Sequence, residues 1–226
     1  MERPTLAFVP GFMQRCDAWA AVADRLAKRY PSALCERADE AVQPGVVPVA
    51  YSMGGRIVLH AALAEPTRWP ALVLVGVSAG IEDPEARRAT DEELAAWIES
   101  HSIEEIVDRW EKQPVFATQP PELVEAQRPG RLSHSPADLA QLLRSAGQGT
   151  MPAVWDRLED LNVPVLCLAG ALDTAYAETA HRMASLLPHG TARGIAGAGH
   201  APQLECPDAV AREIDSFCGA LRLNSR

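Results

Sequence analysis

Residues 46–64 constrain the fold more than any other stretch. A short apolar run, Val46-Val-Pro-Val-Ala50, reaches Ser52 through Tyr51, and a second apolar run, from Met53 to Ala64, follows at once. The first has the length and β-branched content of a strand buried on both faces. The second is apolar almost all round from Gly54 onward, as a helix inside the molecule must be. A buried strand turned directly into a buried helix fits an α/β architecture with a mainly parallel sheet. The turn is sharp, so it needs small residues two before and two after the serine; Ala50 and Gly54 stand there. A serine held in that turn is presented as a nucleophile, with the free N–H groups of the helix start behind it. A plain helix cap is the other reading of the same serine, and the buried strand before it, the buried helix after it and Gly54-Gly55 weigh against that reading.

Other apolar runs repeat the strand signal at residues 5–9, 71–77 and 165–169, with weaker ones at 32–35 and 191–195. About six strands are therefore expected. Helical spacing marks residues 17–28, through Trp19, Val22 and Leu26, and residues 207–221, through Val210, Ile214, Phe217 and Leu221. From about residue 80 to 150 no strand pattern occurs, while charged helical patterns hold Trp97 and Trp110. This stretch is expected to be a helical insertion within a single domain of 226 residues, placed where open α/β sheets bind ligands.

Partners for Ser52 follow it in the chain. Asp173 comes just after the run at 165–169, where it can orient a base, cap the next helix, or do both. Of six histidines, His200 alone lies in a loop of small residues, Ala196-Gly-Ala-Gly-His200-Ala, after the last strand. Such a loop lets backbone approach a site closely. His60, His101, His134, His181 and His189 fall in helices or beside them and are expected to be packing or surface residues. Ser52, His200 and Asp173 then make a nucleophile, base and orienting acid. The oxyanion donors are expected from the backbone of Phe12, after the first strand, and of Met53; a plain turn at Gly11-Phe12 is the other reading.

Charge narrows the ligand. With 21 Lys+Arg against 30 Asp+Glu the formal net charge is -9, which repels nucleic acid and anionic membranes. Five cysteines with no C-x-x-C spacing indicate neither a disulfide framework nor a metal site. No run approaches the roughly 20 apolar residues of a membrane span. Residues 1–4 lack the basic start of a secretion signal, so a cytoplasmic protein is expected. Arg56, however, follows Ser52 by four residues and shares its helix face. It can offer a bidentate fork to a carboxylate, or simply snorkel from the helix.

Several stretches together resemble one family: Gly11-Phe-Met13 with Trp19, Tyr51-Ser-Met-Gly-Gly-Arg56, Trp110-Glu-Lys-Gln-Pro-Val-Phe116, and Arg131-Leu-Ser-His-Ser-Pro-Ala-Asp-Leu-Ala140. Leu143-Arg-Ser-Ala-Gly-Gln-Gly149, Pro152-Ala-Val-Trp155 and Ala198-Gly-His-Ala-Pro-Gln-Leu-Glu205 extend the likeness over nearly the whole chain. The sequence resembles the 2-succinyl-6-hydroxy-2,4-cyclohexadiene-1-carboxylate synthases (MenH) of menaquinone biosynthesis, within the α/β-hydrolase superfamily. The resemblance implies an α/β-hydrolase fold with a helical cap over residues 80–150. It implies a lyase that eliminates pyruvate from a succinyl-enolpyruvyl-cyclohexene carboxylate by proton abstraction, with no cofactor and no metal. Carried over by position, Tyr51, Arg56, Arg131 and Trp110 would bind the polycarboxylate substrate, together with Arg87 or Arg88. The spacing to Asp91 favours Arg87.

Pro10 stands where the family has His, and Ala50 replaces the first Gly of the serine turn. The connection at residues 37–46 is short for a parallel crossover, which normally takes about a dozen residues or more. A carboxylesterase or other acyl hydrolase of the same superfamily is the alternative, since the same three residues serve it. A ligand-binding protein without catalysis is a third reading. The sequence leaves the oligomeric state open.

Overall fold

The computed structural model describes residues 3–41, 43, 45–81 and 83–221. Met1 and Glu2, at the start of the segment read for a leader, lie outside the described residues, as do Val42 and Pro44 of the short connection and Glu82 of the helical stretch.

The order of elements is strand β1 (Thr5–Val9), helix α1 (Ala20–Leu26), β2 (Ser32–Leu34), β3 (Val46–Tyr51), α2 (Ser52–Ala64) and β4 (Leu72–Val75). Four helices follow: α3 (Pro84–Glu99), α4 (Ile103–Trp110), α5 (Pro121–Leu132) and α6 (Pro136–Ala146). The alternation then resumes with β5 (Val165–Gly170), α7 (Thr174–Leu186), β6 (Gly190–Ile195), the short α8 (Pro202–Glu205) and α9 (Pro207–Leu221). The strands form one parallel sheet in the order β2-β1-β3-β4-β5-β6. Leu59 and Leu63 of α2 and Met183 of α7 pack on one face. Val22 and Leu26 of α1 and Val210 and Ile214 of α9 pack on the other. Central strands sandwiched this way carry apolar residues on both sides, which is why β4 reads Leu-Val-Leu-Val and is wholly buried.

Strand order reverses at β1, which is flanked by β2 on one side and β3 on the other. The crevice beyond the carboxyl ends of β1 and β3 is the place where open α/β sheets hold ligands. Phe12 leaves one of those ends and Ser52 the other.

Several boundaries differ from the sequence reading for identifiable reasons. The single helix expected over 17–28 begins as a 3-10 turn, Cys16–Trp19. The tightened turn carries Trp19 into the core, where its Nε1 donates to the Val9 carbonyl at 2.9 Å and its ring packs on Phe8. The strand expected to reach residue 77 stops at Val75, because Gly76 turns left-handed at φ 59°. The short connection after β2 holds a 3-10 turn, Ala38–Ala41, instead of a crossover helix. Its two buried alanines, Ala38 and Ala41, fill the core beside Val9 and Leu59, where larger side chains of a full helix would stand off the sheet. β2 is correspondingly exposed along its whole length. Cys35, Cys167 and Cys218 are buried, and burial pushes the Cys167 thiol up to about 12, in keeping with small core hydrophobes.

Candidate active site

Ser52 closes β3 and opens α2 at φ 48°, a left-handed conformation that costs a non-glycine residue energy. The strain is imposed by packing on both sides. A Cβ added to Gly55 would stand 2.3 Å from Cγ2 of Val77, so that residue has to be glycine for α2 to lie on the sheet. The turn aims the Ser52 hydroxyl away from the sheet, toward the loop after β6.

His200 comes from that loop. Its Nε2 lies 3.4 Å from Ser52 Oγ, and its Nδ1 lies 2.7 Å from Asp173 Oδ2. His200 is 7% exposed. Asp173 is the N-cap of α7 as well, its Oδ1 accepting from the Tyr176 amide at 3.3 Å. One carboxylate thus grips the helix with one oxygen and the imidazole with the other. A second carboxylate holds the loop. Glu205 Oε2 accepts from the Gly199 amide at 2.8 Å, and Oε1 from the Ala201 amide at 3.1 Å, one on each side of His200. Thr118 Oγ1, from the segment between α4 and α5, also donates to Glu205 at 2.8 Å. Chemically, a hydroxyl, an imidazole and a carboxylate in this line can pass a proton from the hydroxyl or a substrate carbon onto the imidazole.

Ser52 and His200 open into a pocket lined also by Phe12, Gln14, Tyr51, Trp110, Val115, Phe116 and Arg131. Phe12, Trp110 and Phe116 form a continuous aromatic wall, with ring centroids 5.2 and 5.5 Å apart. The Tyr51 ring covers Gly11, where an added Cβ would sit 2.7 Å from Tyr51 Cδ1. Burial, reinforced by the charges of nearby acidic and phenolic groups, holds the Tyr51 phenol well above its ordinary range, so it stays a neutral donor. Met53 stands in the first turn of α2, whose N–H groups have no acceptor within the helix. Phe12 and Met53 are both buried and pack together with α3, α4 and α6.

The three arginines separate. Arg131 alone lines the pocket with Ser52 and His200. It is 2% exposed and is steered by Glu111 Oε1, 3.0 Å from its Nη1, and by Gln127 Oε1, 2.9 Å from its Nη2; its Nε has no partner among the described residues. Arg56 is also buried, with Nη2 donating to the Ala146 carbonyl at 3.1 Å, and lies in the field of Tyr176, Arg87 and Asp91. Desolvation lowers the pKa of both buried guanidiniums, which remain charged. Arg87 reaches Asp91 at 2.7 Å and Gln148 at 2.6 Å and is half-exposed. Arg88 instead binds the Gly149 carbonyl at 3.1 Å, so Arg87 is the one of the pair turned toward Arg56.

Gln14, Tyr176 and Glu205 escaped the sequence reading as site residues. Tyr176 could have been found from its place three residues after Asp173, where a helix cap fixes its position. Gln14 carried no such signal: only the fold turns the loop after β1 into the pocket wall.

A family model described as "Alpha/beta hydrolase family" matches residues 9–213. A relative from Bacillus subtilis (strain 168), provisionally named 2-succinyl-6-hydroxy-2,4-cyclohexadiene-1-carboxylate synthase, is 31% identical over 84% of this chain and 71% of its own length. The synthase of that name from Serratia proteamaculans (strain 568) is 31% identical over 75% of this chain and 66% of its own, so the chain spans slightly less than two thirds of that relative. Among solved structures, MenH from S. aureus superposes with a TM-score of 0.90 at 27% identity, covering 98% of this chain and 96% of the other. An esterase from Thermogutta terrifontis superposes with a TM-score of 0.82 over 96% and 90% of the two chains; at 22% identity it shows a shared fold.

Proposed function

The chain belongs to the alpha/beta hydrolase family, and from that premise we propose that it is a lyase of menaquinone biosynthesis, eliminating pyruvate from a succinyl-enolpyruvyl-cyclohexene carboxylate. The observation that carries this reading is the buried Arg131 guanidinium in the same pocket as Ser52 and His200. A hydrolase of neutral esters gains nothing from a desolvated cation beside its serine, whereas a substrate with several carboxylates does. The relatives named for this reaction support the same substrate.

In this reading His200, oriented by Asp173, draws the proton from Ser52. Ser52 in turn removes the proton next to the succinyl carbonyl of the substrate. The negative charge moves onto that carbonyl oxygen, where the amides of Phe12 and Met53 stabilise it as they would an acyl oxyanion. The electron pair then returns through the ring, forms the diene and breaks the bond to the enolpyruvyl oxygen. The enolpyruvate takes up a proton and leaves as pyruvate. Arg131 and Trp110 hold one end of the substrate, with Tyr51 beside them; Arg56 and Arg87 hold its other carboxylates. Because the step ends in elimination, no covalent acyl-enzyme is needed. The protein acts in the cytoplasm on this small molecule, without a cofactor. Its net charge of -9 keeps polyanions such as nucleic acid away.

The test is a pyruvate-coupled assay of purified protein with the family substrate. Stoichiometric pyruvate and diene, lost in Ser52→Ala, are the expected result. No pyruvate, together with brisk hydrolysis of p-nitrophenyl acetate, would replace the lyase with an esterase.

A further inference from the structure

We propose that Tyr176 is a further specificity-determining residue: its phenolic O–H donates to a substrate carboxylate on the α7 side of His200. The proposal deepens the reading above and rests on it for the identity of the substrate, but not for the kind of group recognised.

The direction of the hydroxyl follows from a chain of donors. Arg87 Nη1 lies 2.6 Å from Gln148 Oε1. A guanidinium has no acceptor, so it fixes that end of the Gln148 amide as the oxygen. The other end, Nε2, must then donate, and it lies 3.1 Å from Tyr176 Oη. The phenolic oxygen is therefore an acceptor toward Gln148, and its own proton points elsewhere. Among the described residues no protein oxygen receives that proton.

Gln148 cannot easily give way. It is flanked by Gly147 and Gly149, and a Cβ on either would fall within 2.6 Å of neighbouring atoms, of Leu143 and Asp91 in one case and of Arg88 in the other. Asp91 Oδ2 also accepts from the Gly149 amide at 3.0 Å, pinning the loop to α3. At the other end, the Tyr176 ring packs against the His200 imidazole, with centroids 4.5 Å apart, and its amide is held by Asp173. The hydroxyl is thus fixed at both ends, on a ring that packs against His200 and within electrostatic reach of the buried Arg56. A hydroxyl donor within reach of a desolvated cation suits a carboxylate oxygen. It also complements Arg131, which serves the pocket itself.

The test compares wild type with Tyr176→Phe, which keeps the ring on His200 and removes only the hydroxyl. Succinate is titrated into each protein and followed by ligand-observed NMR. The expected result is a dissociation constant about tenfold higher in Tyr176→Phe, the loss typical of one hydrogen bond to a charged group. With the family substrate, KM should rise about tenfold while kcat stays within about threefold. Equal succinate affinity in the two proteins, or no succinate binding by wild type, overturns the proposal. So does a fall in kcat at unchanged KM, which would make Tyr176 only a support for His200. If wild type releases no pyruvate, the lyase reading fails, and the succinate comparison still decides the role of Tyr176.

Discussion

The carbonyl oxygen of Pro10 occupies the space in which Gly54 would carry a side chain: a Cβ there would lie 2.2 Å from it. The loop that presents Phe12 and the helix that presents Met53 are therefore pressed together at the backbone, with no side chain between them. Gly54→Ala forces them apart. It is expected to destabilise the protein by about 3 kcal/mol, the upper end for an overpacked site, lowering Tm by roughly 6–12 °C in a domain of this size. Activity should fall beyond what the unfolded fraction explains, because the backbones of Phe12 and Met53, the proposed oxyanion donors, both shift. Calorimetry and a rate measured well below Tm check the two parts separately.

If Ser52 and His200 act as one unit, removing either removes nearly the whole effect. Ser52→Ala and His200→Ala should each lower kcat on the order of 10³-fold or more, and the double variant should be no worse than the poorer single one. Additive losses in the double variant would mean that the two residues act independently.

Arg131→Met separates binding from folding. Breaking a buried ion pair usually costs several kcal/mol because the abandoned charge is left alone. Here Glu111 Oε2 keeps Arg128 at 2.6 Å, so the carboxylate is not abandoned. The variant should remain folded, with a Tm within a few degrees of wild type. Its KM for the anionic substrate should rise roughly 10- to 100-fold, while turnover of p-nitrophenyl acetate, if any, is unchanged. Parallel kinetics on the two substrates would reveal an equal loss on both, which the idea does not survive.

Glu205 is expected to set the position of His200 rather than to touch substrate. Glu205→Gln loses the charge shared by three donors and one of two strong acceptors. We expect kcat to fall about tenfold with KM unchanged. Thr118→Val, which removes only the outer donor, should leave kcat within about twofold. A KM effect in Glu205→Gln would place the residue in substrate binding instead.

Stability should fall on the acid side of neutrality. Burial lowers the pKa of His60 and of His134 from the ordinary 6.5. The unfolded chain accepts protons near that pH that the folded chain refuses. The contribution is therefore complete above about pH 6.5 and is lost as the pH falls through it. Thermal unfolding followed between about pH 7.5 and 5 should show this decline, and His60→Asn with His134→Asn should flatten it. Identical slopes in the two proteins would remove the histidines from the account.

Much of this molecule was legible locally. The serine turn, the alternating buried runs and the small-residue loop around His200 are patterns of neighbouring residues. Their periods of 2 and 3.6, and the intolerance of a tight turn for side chains, act within a few positions. Asp173 was legible for the same reason, as a cap directly after a strand. The short connection at residues 37–46 was legible as a deficit, but its solution was not. That a 3-10 turn with two buried alanines could replace a helix depends on the shape of the core beneath it.

The sequence by itself determined the sheet's parallel character and put Ser52, Asp173 and His200 at strand ends and in a small-residue loop, from which the fold brings them into one line. Those placements follow from backbone sterics and burial along contiguous residues. Only the tertiary structure decided how the cations are shared out: Arg131 in the serine pocket, Arg56 on the Ala146 carbonyl, and Arg87 linked by Gln148 to Tyr176. Those side chains come from helices separated by up to 120 positions, between Arg56 and Tyr176. Their meeting depends on how α3 packs on α6, how α7 packs on the sheet, and on the loops between them. No local pattern encodes that distance, because close packing fixes it only once the whole fold is in place.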